Sequence, residues 1–202
     1  MVKNAIDTLQ YSYCNKTRTQ YREMFGANES TRVFVHVGRF HEAKNHMFLL
    51  DVFAQYMETN KNALLVLAGD GELRDVIVDK IIDLQITDKV LLLGNRADVP
   101  NILQAADCFL FPSRWEGLPV TVVEAQAAGI PCLVSNHVTK DVNVSSLISY
   151  LSICDGTDVW TSAILNLDWE RKNVMADIVK NGFDISDSAK WITEFYRGQI
   201  NE

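Results

Sequence analysis

The feature that most constrains the fold of this chain is a regular alternation of apolar, β-branched runs with amphipathic helical patterns, which begins at residue 32. The apolar runs predict strands over 32–38, 63–68, 89–93, 107–111 and 131–135, with a weaker strand near 148–152. The patterns between them predict helices over 45–57, 72–84, 99–106, 120–128 and 158–167. Because the connections are short, we expect a parallel sheet with right-handed crossover helices on both faces. The predicted fold class is therefore α/β, a doubly wound parallel sheet, with its ligand beyond the carboxyl ends of the strands.

Two segments flank the alternating region. The first 31 residues are polar and aperiodic, with one short helix predicted over 17–25. The last predicted helix, over 187–198, carries an apolar face made of Trp191, Ile192, Phe195 and Tyr196. The chain is accordingly divided into an N-terminal segment (1–31), an α/β domain (32–185) and a C-terminal helix (186–202).

Composition excludes several classes of function. Lys and Arg number 19 against 26 for Asp and Glu, and this formal net charge of −7 argues against non-specific nucleic-acid binding. The four cysteines form no C-x-x-C pair, and Cys108 and Cys132 lie in apolar runs, so we expect buried thiols and no metal site. No leader or membrane span is recognised, which favours a cytoplasmic location. His36 lies inside the first predicted strand and is interpreted as an interior side chain.

The loop after the first strand carries two cations. Gly38 and Arg39 are followed five residues later by Lys44, just before a predicted helix whose N-cap is Asn45. An arginine, a lysine and a helix N-terminus together could clamp a diphosphate. The alternative is that both cations are simply solvated on an exposed loop.

The loop after the second strand reads Gly69-Asp70-Gly71-Glu72. It lacks the third glycine of a dinucleotide fingerprint and follows the wrong strand, so a dinucleotide site is not expected. A tight turn with Glu72 near the start of a helix explains most of the motif. Gly71 could in addition allow the backbone to approach a ligand.

The loop after the fourth strand carries two carboxylates around the start of one helix. Glu116 precedes Pro119, which suits the beginning of a helix, and Glu124 lies more than a turn inside that helix among apolar neighbours. A carboxylate in such surroundings needs a hydrogen-bonding partner, and sugar hydroxyls are suitable ones. The alternatives are a helix-dipole role for Glu116 and an ion pair for Glu124.

These motifs together resemble a known family. The Glu–x₇–Glu pair within FPSRWEGLPVTVVEAQAAGIPCLVS is similar to the signature of retaining glycosyltransferases of family four, which have the GT-B fold. The Gly-Arg-…-Lys loop and the Gly-Asp-Gly-Glu turn occur in the same order in the C-terminal domain of that family, and the match extends from about residue 4 to 137. The sequence His-Val-Gly-Arg-Phe at 36–40 is similar to the branch that builds bacterial capsular polysaccharides and exopolysaccharides.

The resemblance implies a role for each matching residue. Arg39 and Lys44 would hold the diphosphate of a nucleotide-sugar and stabilise the departing nucleotide. Glu116 would bind hydroxyls of the donor sugar and Glu124 those of the ribose. The remaining positions implied to contact the donor are Gly38, Gly71, Asn95 and Arg96 (the last two beside the base), together with the backbone N–H groups of Gly117 and Leu118.

The resemblance also implies the substrates and the partners. The donor would be a nucleotide-sugar, with a UDP-sugar expected, and neither a metal nor a separate cofactor would be needed. The acceptor would be a glycan or a lipid-linked sugar, held by an N-terminal domain that this chain lacks and that could associate with the inner face of the membrane. The helix at 186–202 would pack on that domain, and the isolated chain would transfer no sugar. A nucleotide-sugar epimerase of GT-B architecture and a non-catalytic nucleotide-binding or interaction module remain as alternatives.

Overall fold

In a computed structural model of the protein, residues 4–200 are described, with side chains through residue 198. The outer ends of the two flanking segments, residues 1–3 and 201–202, lie outside the described residues. Six strands form one parallel sheet in the order β3-β2-β1-β4-β5-β6. They are β1 (Arg32–Val37), β2 (Ala63–Ala68), β3 (Val90–Gly94), β4 (Cys108–Phe111), β5 (Cys132–Ser135) and β6 (Ile148–Leu151).

Nine α-helices are present in the described part of the chain. They are α1 (Thr8–Tyr11), α2 (Asn15–Met24), α3 (His46–Thr59), α4 (Arg74–Asp83), α5 (Val99–Ala105), α6 (Val120–Ala127), α7 (Thr157–Leu165), α8 (Met175–Lys180) and α9 (Ile185–Ile200). The strand over 63–68 was predicted to the residue, and most other boundaries differ by one or two residues. Helix α4 begins two residues later than predicted because the Leu73 N–H donates to the Phe40 carbonyl (3.1 Å) in the neighbouring loop. Helices α1 and α8 were missed, since four and six residues are too few to show a helical period.

The sheet is buried on both faces, as the alternation predicted. Along β1, Val33 and Val35 belong to one hydrophobic core and Phe34 to the other, because successive side chains of a strand point to opposite faces. On the second face the Phe34 ring lies 5.8 Å from that of Phe53 and 5.0 Å from that of Tyr56, both on α3. The doubly wound α/β class is therefore confirmed.

From β1 the chain first adds strands on one side, β2 and then β3, and afterwards on the other side, beginning with β4. At this switch point the neighbouring strands β1 and β4 separate toward their carboxyl ends. Pairing between β1 and β4 ends at Val35 and Phe109, whereas β1 stays paired with β2 as far as Val37. The ring of His36 occupies the gap, and its Nδ1 lies 2.8 Å from the Leu110 carbonyl oxygen. Such a switch point opens a crevice at the carboxyl ends of the strands.

The N-terminal segment packs on the domain and is fixed by buried ion pairs. Arg18 and Arg22 of α2 contact Asp107 at 2.5 and 3.0 Å, just before β4. Ile6 exchanges backbone hydrogen bonds with Phe183 and Ile185 at 2.8 and 2.9 Å, so the two ends of the domain meet at the start of α9. The residues described from this segment are therefore part of the folded unit and do not extend away from it.

Candidate functional site

Three loops at the carboxyl ends of β1, β2 and β3 are joined by backbone hydrogen bonds. The Gly38 N–H donates to Ala68 (3.0 Å), the Phe40 N–H to Asp70 (3.0 Å) and the Gly69 N–H to Gly94 (2.9 Å). A Cβ atom on Gly71 would lie 2.5 Å from the Phe40 carbonyl oxygen. The glycine at position 71 is thus required by contact between two protein loops.

These loops enclose a cleft of about 560 Å³. Five of the ten predicted site residues line it: Gly38, Arg39, Gly71, Asn95 and Arg96. Asp70 and the apolar side chains of Val37 and Val99 complete much of the wall. The structure therefore brings together half of the predicted residues from three separate loops.

Arg39 lies at the rim of the cleft in an exposed ion pair. Its side chain is 72% exposed and lies 3.2 Å from the Glu72 carboxylate, which is also 3.6 Å from His41 Nε2. An ion pair this exposed contributes little to stability, because solvent screens it. The guanidinium can therefore exchange Glu72 for another anion at small cost.

Lys44 and Glu116, separated by 72 positions, form an ion pair beside the cleft. Lys44 Nζ lies 2.6 Å from Glu116 Oε1, and their side chains are only 17% and 13% exposed. The ammonium also lies 4.7 Å from the centre of the Phe111 ring. A methyl group at Gly38 would lie 3.0 Å from Lys44 Cε, so the lysine stem passes directly over this glycine. The sequence had left two alternatives, a solvated Lys44 and a Glu116 that interacts with the helix dipole. Neither describes this largely buried ion pair.

Glu124 is not among the residues that line the cleft, and it contacts α1. Its partner is the hydroxyl of Tyr11, and burial raises the pKa of the Glu124 carboxyl above its usual range. No ion pair to Glu124 is found within the described residues, so the alternative of an ion pair is not supported. Its predicted contact with a ribose stays a prediction.

Replacing Glu124 with glutamine is expected to stabilise the protein at neutral pH. A raised pKa means that the ionised form is disfavoured in the folded state, so this contribution to stability falls as the pH rises. A glutamine still accepts from Tyr11 and carries no charge, and we expect the thermal midpoint to rise by about 2–4 °C. Calorimetric melting at pH 7 measures the shift, with the exposed Glu58→Gln as the matched control. A lower midpoint for Glu124→Gln would contradict the assignment.

The last two predicted positions lie on the β4–α6 loop. Gly117 is exposed and Leu118 is half-buried against the core. Their backbone N–H groups have no acceptor among the described residues. Both amides thus remain available to a ligand.

Further contacts hold the loop after β1 against the loop after β4. Asn45 Nδ2 donates to the Pro112 carbonyl (3.2 Å), and the Arg114 N–H donates to that of Ala43 (2.7 Å). Arg114 Nη1 is also 3.0 Å from the Glu42 carboxylate. Asn45 occupies the N-cap position of α3, as predicted, but it has a left-handed φ of 56° and its side chain bonds to Pro112 instead of capping the helix. Asparagine tolerates a left-handed backbone conformation better than most residues, and this was the one feature of the sequence that could have indicated the turn at position 45.

The position of Arg96 is fixed by a residue that was also missed. Its guanidinium makes two hydrogen bonds to Asp98, at 2.7 and 2.6 Å, and the Tyr21 hydroxyl donates to the same carboxylate (2.6 Å). These bonds hold the pKa of Asp98 well below its usual range. Helix α2 therefore helps to set one side of the cleft.

Two buried histidines lie beneath the Lys44 side chain. The rings of His36 and His46 are 4.8 Å apart, and neither His36 Nε2 nor the two ring nitrogens of His46 have a partner among the described residues. Burial, with the nearby Lys44 charge, lowers the pKa of His46 to about 4, and burial lowers that of His36 as well. His36 is interior, as predicted, but only its Nδ1 is hydrogen-bonded.

Neither a metal site nor a membrane-spanning helix is found among the described residues. No group of three His, Cys, Asp or Glu side chains in residues 4–200 has the arrangement of a metal site. Over the same range, no helix combines the length and the hydropathy that crossing a bilayer requires. Cys108 and Cys132 are buried free thiols, as expected.

The sequence is similar to several curated proteins. EpsF of Bacillus subtilis is 34% identical over 165 residues, which are 81% of this chain and 43% of EpsF. A UDP-Gal:alpha-D-GlcNAc-diphosphoundecaprenol alpha-1,3-galactosyltransferase of Escherichia coli is 30% identical over 205 aligned positions, covering 97% of this chain and 53% of the relative. The chain thus spans about half the length of the curated relatives that it matches.

Solved structures share the fold. HepE of Anabaena, in complex with UDP and glucose, superposes with a TM-score of 0.81 at 20% identity, over 97% of this chain and 56% of HepE. A sucrose-phosphate synthase of Thermosynechococcus elongatus gives 0.83 at 20% identity, over 99% of this chain and 52% of the synthase. These similarities confirm the expected architecture, the Rossmann-like half of a GT-B glycosyltransferase.

The family assignment rests on the match to a family model. Residues 17–144, more than half of the chain, match the model described as glycosyl transferases group 1. This range contains all ten predicted site residues and the three loops that build the cleft. The chain therefore belongs to the group 1 glycosyl transferases, the family that its motifs resemble.

Proposed function

We propose that this chain is the donor-binding half of a retaining glycosyltransferase, which takes a sugar from a nucleoside-diphosphate sugar. The observation that carries the proposal is the ion pair between Lys44, on the loop after β1, and Glu116, on the loop after β4, beside a cleft that Arg39 lines. A cleft with two cations at its edge and a carboxylate beside it suits a ligand that is anionic in one part and hydroxylated in another.

In this proposal each predicted residue takes the role that the family resemblance implies. Arg39 and Lys44 bind the diphosphate, Asn95 and Arg96 lie beside the base, and Glu116 accepts hydrogen bonds from the donor sugar. Fixed cations lower the energy of the departing nucleotide without reorganisation as the bond to the sugar breaks. Glu124 would accept from the ribose after exchanging its contact with Tyr11.

A UDP-sugar is the donor that we propose. The galactosyltransferase of Escherichia coli is named for UDP-Gal, and HepE was solved with UDP and with UDP-glucose. The proposed pathway is the synthesis of a cell-surface polysaccharide, since a capsular polysaccharide glycosyltransferase of Staphylococcus aureus is also among the relatives. The proposed acceptor is a growing glycan or a lipid-linked sugar on the cytoplasmic side of the membrane.

The rest of the active site would come from a further, acceptor-binding domain. Trp191, Ile192, Phe195 and Tyr196 on α9 are exposed, as is Ile185 at its start. An apolar face of this size is more stable when it is covered. We propose that it packs on the acceptor-binding domain, and that this chain alone binds donor without transferring the sugar.

Titration calorimetry with UDP, GDP and ADP tests the proposal. We expect UDP to bind, and we expect Arg39→Ala and Lys44→Met each to weaken its binding about tenfold, since each removes a charge-assisted contact with a phosphate. Lys89→Met is the matched control, because Lys89 lies before the start of β3, whereas the cleft lies at the carboxyl ends of the strands. Failure of all three nucleotides to bind, or unchanged binding in both cleft variants, would overturn the proposal.

A further inference from the structure

The Lys44–Glu116 ion pair differs from the other ion pairs around the cleft in how deeply it is buried. Arg39 with Glu72, and Arg114 with Glu42, are exposed pairs at 3.2 and 3.0 Å. The Lys44–Glu116 pair is shorter, at 2.6 Å, and both of its side chains are largely removed from solvent. Solvent can replace a partner in the exposed pairs but can do so only poorly in this one.

Each member of this pair depends on the other. Within the described residues, Glu116 has no hydrogen-bonding partner other than Lys44. The stem of Lys44 passes over Gly38, and its ammonium lies over the ring of Phe111. Removing one partner of a buried pair is costly, because the remaining charge is left desolvated and unpaired.

We propose that this ion pair makes the site select the intact nucleotide-sugar over the free nucleoside diphosphate. The inference rests on the proposed function, in which Lys44 binds phosphate and Glu116 binds the sugar. In this proposal a diphosphate that binds Lys44 draws the ammonium away from Glu116. An intact donor then supplies sugar hydroxyls to the released carboxylate, whereas the nucleotide product leaves that carboxylate without a donor.

Opening the Lys44–Glu116 ion pair on donor binding and closing it after sugar transfer would favour release of the product. Binding of the donor replaces one ion pair with two sets of contacts, phosphate to Lys44 and hydroxyls to Glu116. Once the sugar has left, Glu116 again competes with the nucleotide for Lys44, and closing the ion pair weakens the hold on the product. Glu116 therefore has two roles. It binds the sugar of the donor, and by pairing with Lys44 in the ligand-free site it disfavours the free nucleotide.

Replacing Glu116 with glutamine tests this inference by titration calorimetry of the full chain with UDP and with UDP-glucose. The glutamine keeps a hydrogen-bond acceptor beside Lys44 but removes the competing charge. We expect UDP to bind Glu116→Gln about tenfold more tightly than the wild type. The affinity for UDP-glucose should gain less, so the preference for UDP-glucose over UDP should fall.

Glu42→Gln is the matched control, because it makes the same change of charge on the loop of Lys44 but affects only an exposed pair. It should change the affinity for UDP by less than twofold. If the wild type binds UDP and Glu116→Gln binds it equally or more weakly, this inference is wrong while the proposed function stands. An equal gain in Glu42→Gln would also overturn it, since net charge would then explain the effect. If the wild type binds no nucleotide, the proposed function itself fails.

Discussion

Replacing Gly69 with alanine is expected to lower the free energy of unfolding by more than about 3 kcal/mol. A Cβ atom at this position would lie 1.9 Å from the carbonyl oxygen of Gly38, and the φ angle of Gly69 is +151°. The obstructing atom belongs to the backbone of the neighbouring loop, so rotating a side chain cannot relieve the overlap. The β1 and β2 loops would have to separate, which would also open the cleft.

Urea denaturation followed by circular dichroism measures this loss. Gly198→Ala is the matched control, because a Cβ at Gly198 meets nothing within 4 Å and the residue lies in α9. Alanine is favoured over glycine in a helix, so no loss of stability is expected there. A loss below 1 kcal/mol for Gly69→Ala would show that the two loops are not in the contact described.

Acidification is expected to destabilise the protein through its buried histidines. His46 has its pKa lowered to about 4 by burial and by the nearby Lys44 charge, whereas the unfolded chain has an ordinary value near 6.5. Between these values the unfolded chain binds the proton and the folded chain does not. The stabilising contribution is therefore complete above about pH 6.5 and is lost as the pH falls, by about 2 to 3 kcal/mol at pH 4.5.

The variant His46→Leu isolates this effect from the titration of carboxylates. The loss of unfolding free energy between pH 7 and pH 4.5 should be about 2 to 3 kcal/mol smaller in the variant than in the wild type. The quantity compared is the difference in unfolding free energy between the two pH values. A change in packing that affects stability equally at both values therefore drops out of the comparison. Identical pH dependence in wild type and His46→Leu would refute the prediction.

The sequence was most informative where a residue pattern reflects a local period. The strand over 63–68 is continuously apolar, and the structure buries all six of its side chains. Burial of Cys108 and Cys132 followed from their apolar neighbours in the same way. Helix α8 has only six residues, and no periodic pattern of that length separates a helix from a loop.

For the site, the sequence indicated which loops carry the candidate residues but not which side chains contact each other. Five predicted positions follow their strands, and the structure brings them to one cleft because the carboxyl ends of parallel strands meet at one edge: Gly38, Arg39, Gly71, Asn95 and Arg96. The partner of Glu124 was not foreseen, since Tyr11 lies in a segment whose position depends on packing against α5 and α6. Asn45 was assigned the correct place in the chain and the wrong contact.

By itself, the sequence determined the alternation of strands and helices, the parallel sheet that this alternation requires, and the loops that carry the chemistry. These features depend on residues close together in the chain, where period and side-chain size act directly. Only the tertiary structure decided that Lys44 meets Glu116, that Arg96 is held by Asp98 and Tyr21, and that Gly69 touches the Gly38 carbonyl. Most of these contacts join residues far apart in the chain, and their distances depend on how strands diverge and helices pack, which no local pattern encodes.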